Sequence, residues 1–289
     1  MVIDSQIVPR QALPNDLQQL ANLIHFEAYV HRHLDYRPPL DWIDQRPFLV
    51  LEKGNQIAAT LACPVDPPQV AWIRLFASSS NLLGRTAWEI LWPGAIAHLE
   101  ENHPPRWAAA IPMHNWLTAL LKKSGFEETH QIVMLCWERT KRLKSPSKIP
   151  CIVRPMTPSD LVSVKEIDES SFVPVWQNSL ACLEFAFRQS VVATVAEKEG
   201  KLVGYQISTA TSVGGHLARL AVYPHLQGKG IGYALVYDLL TQFLQRGGRM
   251  LTVNTQKNNL TSLALYKKAG FVLTGEEYPI YQYTFSGSY

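Results

Sequence analysis

The stretch Leu220-Ala221-Val222-Tyr223-Pro224-His225-Leu226-Gln227-Gly228-Lys229-Gly230-Ile231-Gly232-Tyr233-Ala234-Leu235 decides how the rest of the chain is read. An apolar run stops at Pro224 and a glycine-rich segment follows. Apolar residues then recur at 231, 235, 236, 239, 240, 243 and 244, one face of a helix. The order is strand, turn, helix. Glycines permit φ > 0 and let a ligand approach the main chain closely. The first N–H groups of the helix have no acceptor within it and point at the turn. The segment is therefore expected to hold a diphosphate on main-chain donors, with Lys229 adding positive charge. The phosphate-loop spacing G-x-x-x-x-G-K-S/T is absent. The dinucleotide spacing G-x-G-x-x-G also fails, because the glycines stand at 228, 230 and 232. On spacing alone, a tight turn without a ligand competes with this reading.

Working outward, Cys151–Arg154 reads as a short strand, and Thr157-Pro158-Ser159-Asp160 opens a helix with Pro at its first position. A loop carrying Phe172, Pro174 and Trp176 precedes a helix near Ser179–Gln189. Val191–Glu197 and Leu202–Ala210 form a hairpin across Glu199-Gly200-Lys201, and His216–Tyr223 is the next strand. After the glycine turn come a strand at Met250–Val253 and a helix at Leu260–Ala269 stopped by Gly270. Two terminal strands follow, near Phe271–Thr274 and Tyr281–Phe285. The class is α/β with a mixed sheet.

The chain repeats itself once. Arg10, Pro14, Asp16 and Leu17 match Arg154, Pro158, Asp160 and Leu161 at an offset of 144. Leu120-Leu121-Lys122-Lys123-Ser124-Gly125-Phe126 matches Leu265-Tyr266-Lys267-Lys268-Ala269-Gly270-Phe271 at 145. A weaker pair joins Leu51–Ile57 to Ala196–Leu202. So long a period is a domain, not a solenoid unit. The expected spans are 1–138, a basic Pro/Ser-containing linker at 139–150, and 151–289.

With these residues in view, the second half resembles the GNAT superfamily of N-acetyltransferases. Their acetyl-CoA loop, Q/R-x-x-G-x-G/A, is matched by Gln227-Gly228-Lys229-Gly230-Ile231-Gly232. The family's N-x(6)-Y-x(3)-G-F signature is matched by Asn259, Tyr266 and Gly270-Phe271. The resemblance covers about residues 151–286 and extends more weakly to the first half, so it implies two tandem GNAT folds. It also implies roles. Main-chain groups of Leu220, Ala221 and Val222 would pair with the pantetheine arm of acetyl-CoA, and the amides of Gln227, Gly228, Lys229, Gly230, Ile231, Gly232 and Tyr233 would bind its pyrophosphate. Asn259 would contact the pantetheine or its phosphate end, Tyr266 would protonate the leaving thiolate, and Phe172 and Trp176 would line the acceptor pocket. The acceptor would be a primary amine, on a small molecule or a peptide N-terminus. No general base declares itself: Thr252 stands near the strand position where relatives acting on protein N-termini carry Glu, and His216, Glu184, Glu276 or a water chain are the candidates. The first half is expected to be degenerate. Ile73–Gly84 lacks the glycine loop, Leu121 replaces Tyr266, and Asn115 is a remnant of Asn259. A non-catalytic acyl-CoA-binding or regulatory protein, or a nucleotide-binding one, would use the same loop.

Composition excludes other classes. Of 289 residues, 47% are hydrophobic, which fits a globular chain of about two domains. The net charge of +3 is too mild for a nucleic-acid surface. No apolar run reaches the ~18–20 residues of a membrane span, and the start lacks a basic segment followed by an apolar core, so no signal peptide is expected. The four cysteines lack C-x-x-C spacing and read as reduced, in keeping with a cytoplasmic protein. His25, His31, His33 and Asp35 lack a convincing ligand spacing, so no metal is expected.

Overall fold

The computed structural model describes residues 8–101, 104–139, 143–146, 151–210 and 214–286. The chain forms two compact units: residues up to Thr129 together with those from Pro279 onward, and His130–Tyr278.

In the first unit, β1 (Arg10–Gln11), α1 (Leu17–Phe26), β2 (Tyr29–Arg32), β3 (Phe48–Lys53), β4 (Gln56–Ala62), β5 (Val70–Trp72), β6 (Leu75–Ser78), α2 (Gly84–Glu100), β7 (Trp107–Ala110), α3 (Asn115–Lys123) and the start of β8 (Glu127–Glu138) follow in order. One sheet runs β1-β3-β4-β6-β2, and β5 pairs in parallel with β7. Trp88, Leu91, Trp92 and Ala95 of α2 pack with Leu61, Phe76, Ala108 and Phe126 in the larger core. Leu20 and Leu23 of α1 cover the other face with Trp42, Phe48 and Leu75.

The second unit contains β9 (Ile152–Pro155), α4 (Leu161–Ser171), α5 (Leu180–Gln189), β10 (Val192–Lys198), β11 (Lys201–Ala210), β12 (Gly215–Val222), α6 (Ile231–Gln245), β13 (Met250–Gln256), α7 (Leu260–Ala269) and most of β14 (Val272–Thr284). Its sheet runs β9-β10-β11-β12-β13-β8-β14. Val236, Leu239, Leu240 and Phe243 of α6 bury the apolar face read from the sequence, against Leu217, Leu251 and Val253 of the sheet. Burial of each such Leu is worth about 2–5 kcal/mol against Ala.

The unit boundaries depart from the expected 1–138, 139–150 and 151–289. Residues 130–138 of β8 lie beside β13, Leu251↔Trp137 being one pair, and the end of β14 lies beside β7, with Tyr281↔Ala110. The repeat makes β8 and β14 counterparts, so the two halves exchange their last strands. Within the expected linker, 140–142 and 147–150 lie outside the described residues. The two expected terminal strands are one continuous strand, with Pro279 inside it.

One irregularity matters for the site. Between β11 and β12 the register shifts at Ile207/Ser208, leaving Ala218 as an extra residue in β12. A bulge bends its strand and raises the local twist. On its other edge, β12 pairs with β13 only at Gly215↔Leu251, His216↔Thr252 and Leu217↔Val253. Beyond the bulge, Arg219–Val222 leave β13 and a notch opens between the strands.

Candidate active site

The edge of β12 that faces the notch can be read from its hydrogen bonds. Tyr223 N–H donates to Val203 C=O at 3.1 Å. Antiparallel pairs alternate, so Ala221 also turns its main-chain groups to β11, whereas Leu220 and Val222 turn theirs to the notch. The Val222 carbonyl accepts from Ser171 Oγ (3.1 Å) and Gln227 Nε2 (3.0 Å). Among the described residues Leu220 N–H and C=O and Val222 N–H remain, a short edge able to receive an extended chain.

The glycine segment continues from that edge. Gln227 N–H donates to Pro224 C=O (3.2 Å), so both ends of this residue brace the turn. Gly228 and Gly230 sit at φ +74° and +88°, where side chains are strained. Gly230 caps α6 without a side-chain donor or acceptor, and the first helical bond runs from Ala234 N–H to its carbonyl at 3.0 Å. The N–H groups from Gly228 to Tyr233 make no hydrogen bond among the described residues. They form a donor nest at the positive end of a fifteen-residue helix. A Cβ on Gly232 would lie 3.2 Å from Leu265 Cδ2, so this glycine lets α6 close on α7. Lys229 Nζ bonds His225 C=O at 3.1 Å and places its charge beside the nest. Ile231 and Tyr233 offer only main chain: Ile231 is in the core, and Tyr233 Oη donates to Lys144 C=O at 2.7 Å.

Tyr266 lies on α7, 5% exposed, with its ring 5.6 Å from Phe271. Burial raises its phenol above the ordinary range, opposed by the positive charge of Arg219, so it is protonated at neutral pH. Its hydroxyl makes no hydrogen bond among the described residues. Asn259 caps α7, its Oδ1 accepting from Ser262 N–H at 3.0 Å. This role is structural and accounts for asparagine at that position.

On the other face of β12 and β13, His216 Nδ1 is 2.9 Å from Thr252 Oγ1, which itself faces Gly215 C=O at 3.3 Å. Burial lowers the imidazole pKa, partly offset by a hydrogen bond with Asn254, so His216 is neutral at pH 7. It stands one residue before the last paired position at the root of the notch. Glu184 and Glu276, the other candidate bases, are exposed on α5 and β14.

Sequence reading missed a buried network on this face. Asp168 is fully buried and accepts from Tyr205 Oη (2.5 Å), Arg219 Nε (2.7 Å) and Asn178 N–H (2.8 Å). Arg219 also donates to Trp176 C=O at 2.6 Å and lies 3.7 Å over the Phe172 ring. Phe172 and Trp176 are half-buried, and Trp176 meets His130 edge-on. An Arg in an apolar strand was the one available signal.

In the first unit, His31 and His33 serve structure. His31 bonds Ile73 C=O and His33 stacks on Trp72. Among the described residues no group of three or more His, Cys, Asp or Glu could hold a metal, and no helix is long and apolar enough to cross a membrane.

Residues 161–271 match the model of the acetyltransferase (GNAT) family. A Bacillus subtilis (strain 168) protein, provisionally named a ribosomal protein bS18-alanine N-acetyltransferase, is 27% identical over 123 residues, covering 43% of this chain and 82% of that protein. A GCN5-related N-acetyltransferase from Sphaerobacter thermophilus superposes with a TM-score of 0.61 at 14% identity, over 97% of this chain and 96% of that one. A tandem GNAT protein from the clavulanic acid biosynthesis pathway gives 0.64 at 14%, over 96% and 98%. Over residues 161–271 the chain is thus similar to the acetyltransferase (GNAT) family, and along its length it carries the fold of a tandem GNAT protein.

Proposed function

We propose that the second unit transfers the acetyl group of acetyl-CoA to an α-amino group, on a peptide N-terminus or a small amine of similar basicity. The observation that carries this reading is the bare edge at Leu220 and Val222 running directly into the unbonded N–H groups of Gly228–Tyr233. A pantetheine arm can add to the edge as a strand would, and a pyrophosphate fits the nest. Acetyl-CoA supplies the activated thioester; the chain supplies the rest. The notch-facing N–H groups of β12 stabilise negative charge on the thioester oxygen. As the amine nitrogen bonds to the acyl carbon and the C–S bond breaks, Tyr266 gives its proton to the departing sulfur. Asn259 acts by setting the start of α7, and Phe172 and Trp176 face the acceptor.

His216 takes the amine proton, directly or through water. A neutral imidazole with a lowered pKa is a weak base, and this selects the acceptor. Stripping a lysine ammonium of pKa ~10.4 at pH 7 costs about 4–5 kcal/mol, whereas an α-ammonium of pKa ~7.8 costs about 1 kcal/mol. The similarity to a protein named for acetylating an alanine supports the same choice.

The first unit serves as scaffold in this reading, and the chain takes up one acetyl-CoA. The test is CoA release with an alanine-initiated peptide and with the same peptide Nα-blocked but carrying a free lysine. Release is expected from the first alone, and His216→Gln should remove the acidic limb of the pH profile, because protonation of His216 below its lowered pKa abolishes the base. Release from the lysine peptide alone would refute the acceptor assignment.

A further inference from the structure

Asp168 and Arg219 neither hold acetyl-CoA nor pass a proton in the mechanism proposed above. A fully buried carboxylate is costly unless paired and hydrogen-bonded. Asp168 meets that cost with three donors from separate places: Tyr205 on β11, Arg219 on β12, and the main chain of Asn178 just before α5. Arg219 also reaches the loop after α4, bonding the Trp176 carbonyl and covering the Phe172 ring. Gln177 closes the loop on itself through Phe172 C=O (2.9 Å) and Glu169 C=O (3.0 Å). Arg219 is also the residue that follows the bulge, where β12 leaves β13. The pair thus ties the loop bearing Phe172 and Trp176 to the strand whose next residues form the open edge.

The first unit repeats the device. Arg74, 145 positions earlier, is paired with buried Asp35 (2.6 Å), bonds the Asp66 carbonyl (2.6 Å) and lies 4.5 Å over the Trp42 ring. Its carboxylate comes from another place in the chain, yet one arginine again gathers a buried acid, a loop carbonyl and an aromatic ring.

We infer that Arg219, oriented by Asp168, is a positioning residue for the acceptor: it fixes the Phe172–Asn178 loop in register with the thioester-bearing edge of β12. This rests on the acceptor side proposed above. The clamp sets the distance between amine and acyl carbon, and displacements near 1 Å at that step cost rate heavily.

The experiment pairs two readouts on the full chain, in Asp168→Asn/Arg219→Gln, which removes both charges together, and in Arg219→Lys, which keeps charge but loses the fork geometry. Hydrogen exchange without any ligand is expected to speed up at least tenfold at Gln177 and Asn178 while the amides of α6 are unchanged. With acetyl-CoA and an alanine-initiated peptide, KM for the peptide is expected to rise at least tenfold while KM for acetyl-CoA stays within twofold. Unchanged exchange in the loop overturns the clamp, and so do two KM values rising together. If the double variant does not fold, Arg219→Lys decides by the same readouts. If the native chain acetylates no amine, the proposed function falls, while the exchange experiment still decides the clamp.

Discussion

Leu75–Ser78 and Leu220–Tyr223 occupy the same place in the two repeats, and their free edges are treated in opposite ways. In the second unit no strand among the described residues pairs with the edge beyond the bulge. In the first, β2 lies along it antiparallel, with Tyr29↔Ser78, Val30↔Ala77, His31↔Phe76 and Arg32↔Leu75. The parallel pair that precedes the bend is kept in both: Val70–Trp72 with Trp107–Ala109, and Gly215–Leu217 with Leu251–Val253. One architecture thus makes a notch twice. In the first unit the chain fills the notch with its own backbone, and that unit has also lost the glycine nest. An unpaired strand edge either receives a ligand or must be covered.

The two units are expected to differ most at Tyr266. Tyr266→Phe is expected to lower kcat by about 10²–10⁴, the range of a lost general acid, with CoA affinity unchanged by calorimetry. Its counterpart Leu121 lies fully buried in the core of the first unit, and Leu121→Tyr should add no activity and no second CoA site. Two equivalents of CoA per chain would end the assignment of the first unit as scaffold.

The covering strand should itself respond to acid. Burial lowers His31, on β2, to about 4 from an ordinary 6.5, and His33 is also pushed well down. A depressed histidine binds fewer protons folded than unfolded, so stability is complete above pH 6.5 and drains away as pH falls toward 4. For His31 the loss is about 3 kcal/mol. Hydrogen exchange at Tyr29–Arg32 should show opening become easier over that window, and His31→Met should flatten the slope by about one proton.

Local chemistry made much of this legible. The Arg10–Asp16 and Arg154–Asp160 ion pairs, each with two bonds of 2.7–2.9 Å, explain why those residues repeat. A further acid joins each, Glu52 and Glu197, 145 apart. The glycine nest and the helix stop at Gly270 were also readable, because each is encoded within a few neighbouring residues. The exchange of β8 and β14, the cover by β2 and the Asp168–Arg219 clamp were not. Each depends on which distant strand or loop a segment meets, and alternation within a strand does not specify its partner.

A smaller effect is expected at the nest. Gly230→Val places a β-branched residue at φ +88° and should weaken CoA about tenfold, near the ~1–2 kcal/mol cost of that conformation. Gly84→Val, at the start of the matching helix α2, meets only Ser78 and Tyr29 carbons at 4.0 Å and should leave CoA binding untouched.

The smallest difference tests where the repeats agree. Both α3 and α7 end on a glycine with positive φ, +83° at Gly125 and +97° at Gly270. The closing bonds match: Phe126 N–H to Leu121 C=O (3.1 Å) and Gly125 N–H to Lys122 C=O (3.2 Å), against Phe271 to Tyr266 (2.9 Å) and Gly270 to Lys267 (3.1 Å). Both phenylalanines are buried beneath their helices, as this helix stop requires. Gly125→Ala and Gly270→Ala should each cost about 1 kcal/mol in urea unfolding, since the strain is the same. Their activities should part. The Phe271 bond ends on the carbonyl of Tyr266 itself, so Gly270→Ala disturbs the turn that aims the phenol and should lower kcat severalfold, whereas the same change at Gly125 leaves turnover intact. Equal effects on turnover would mean that α7 holds Tyr266 by its core packing and not by its C-terminal stop.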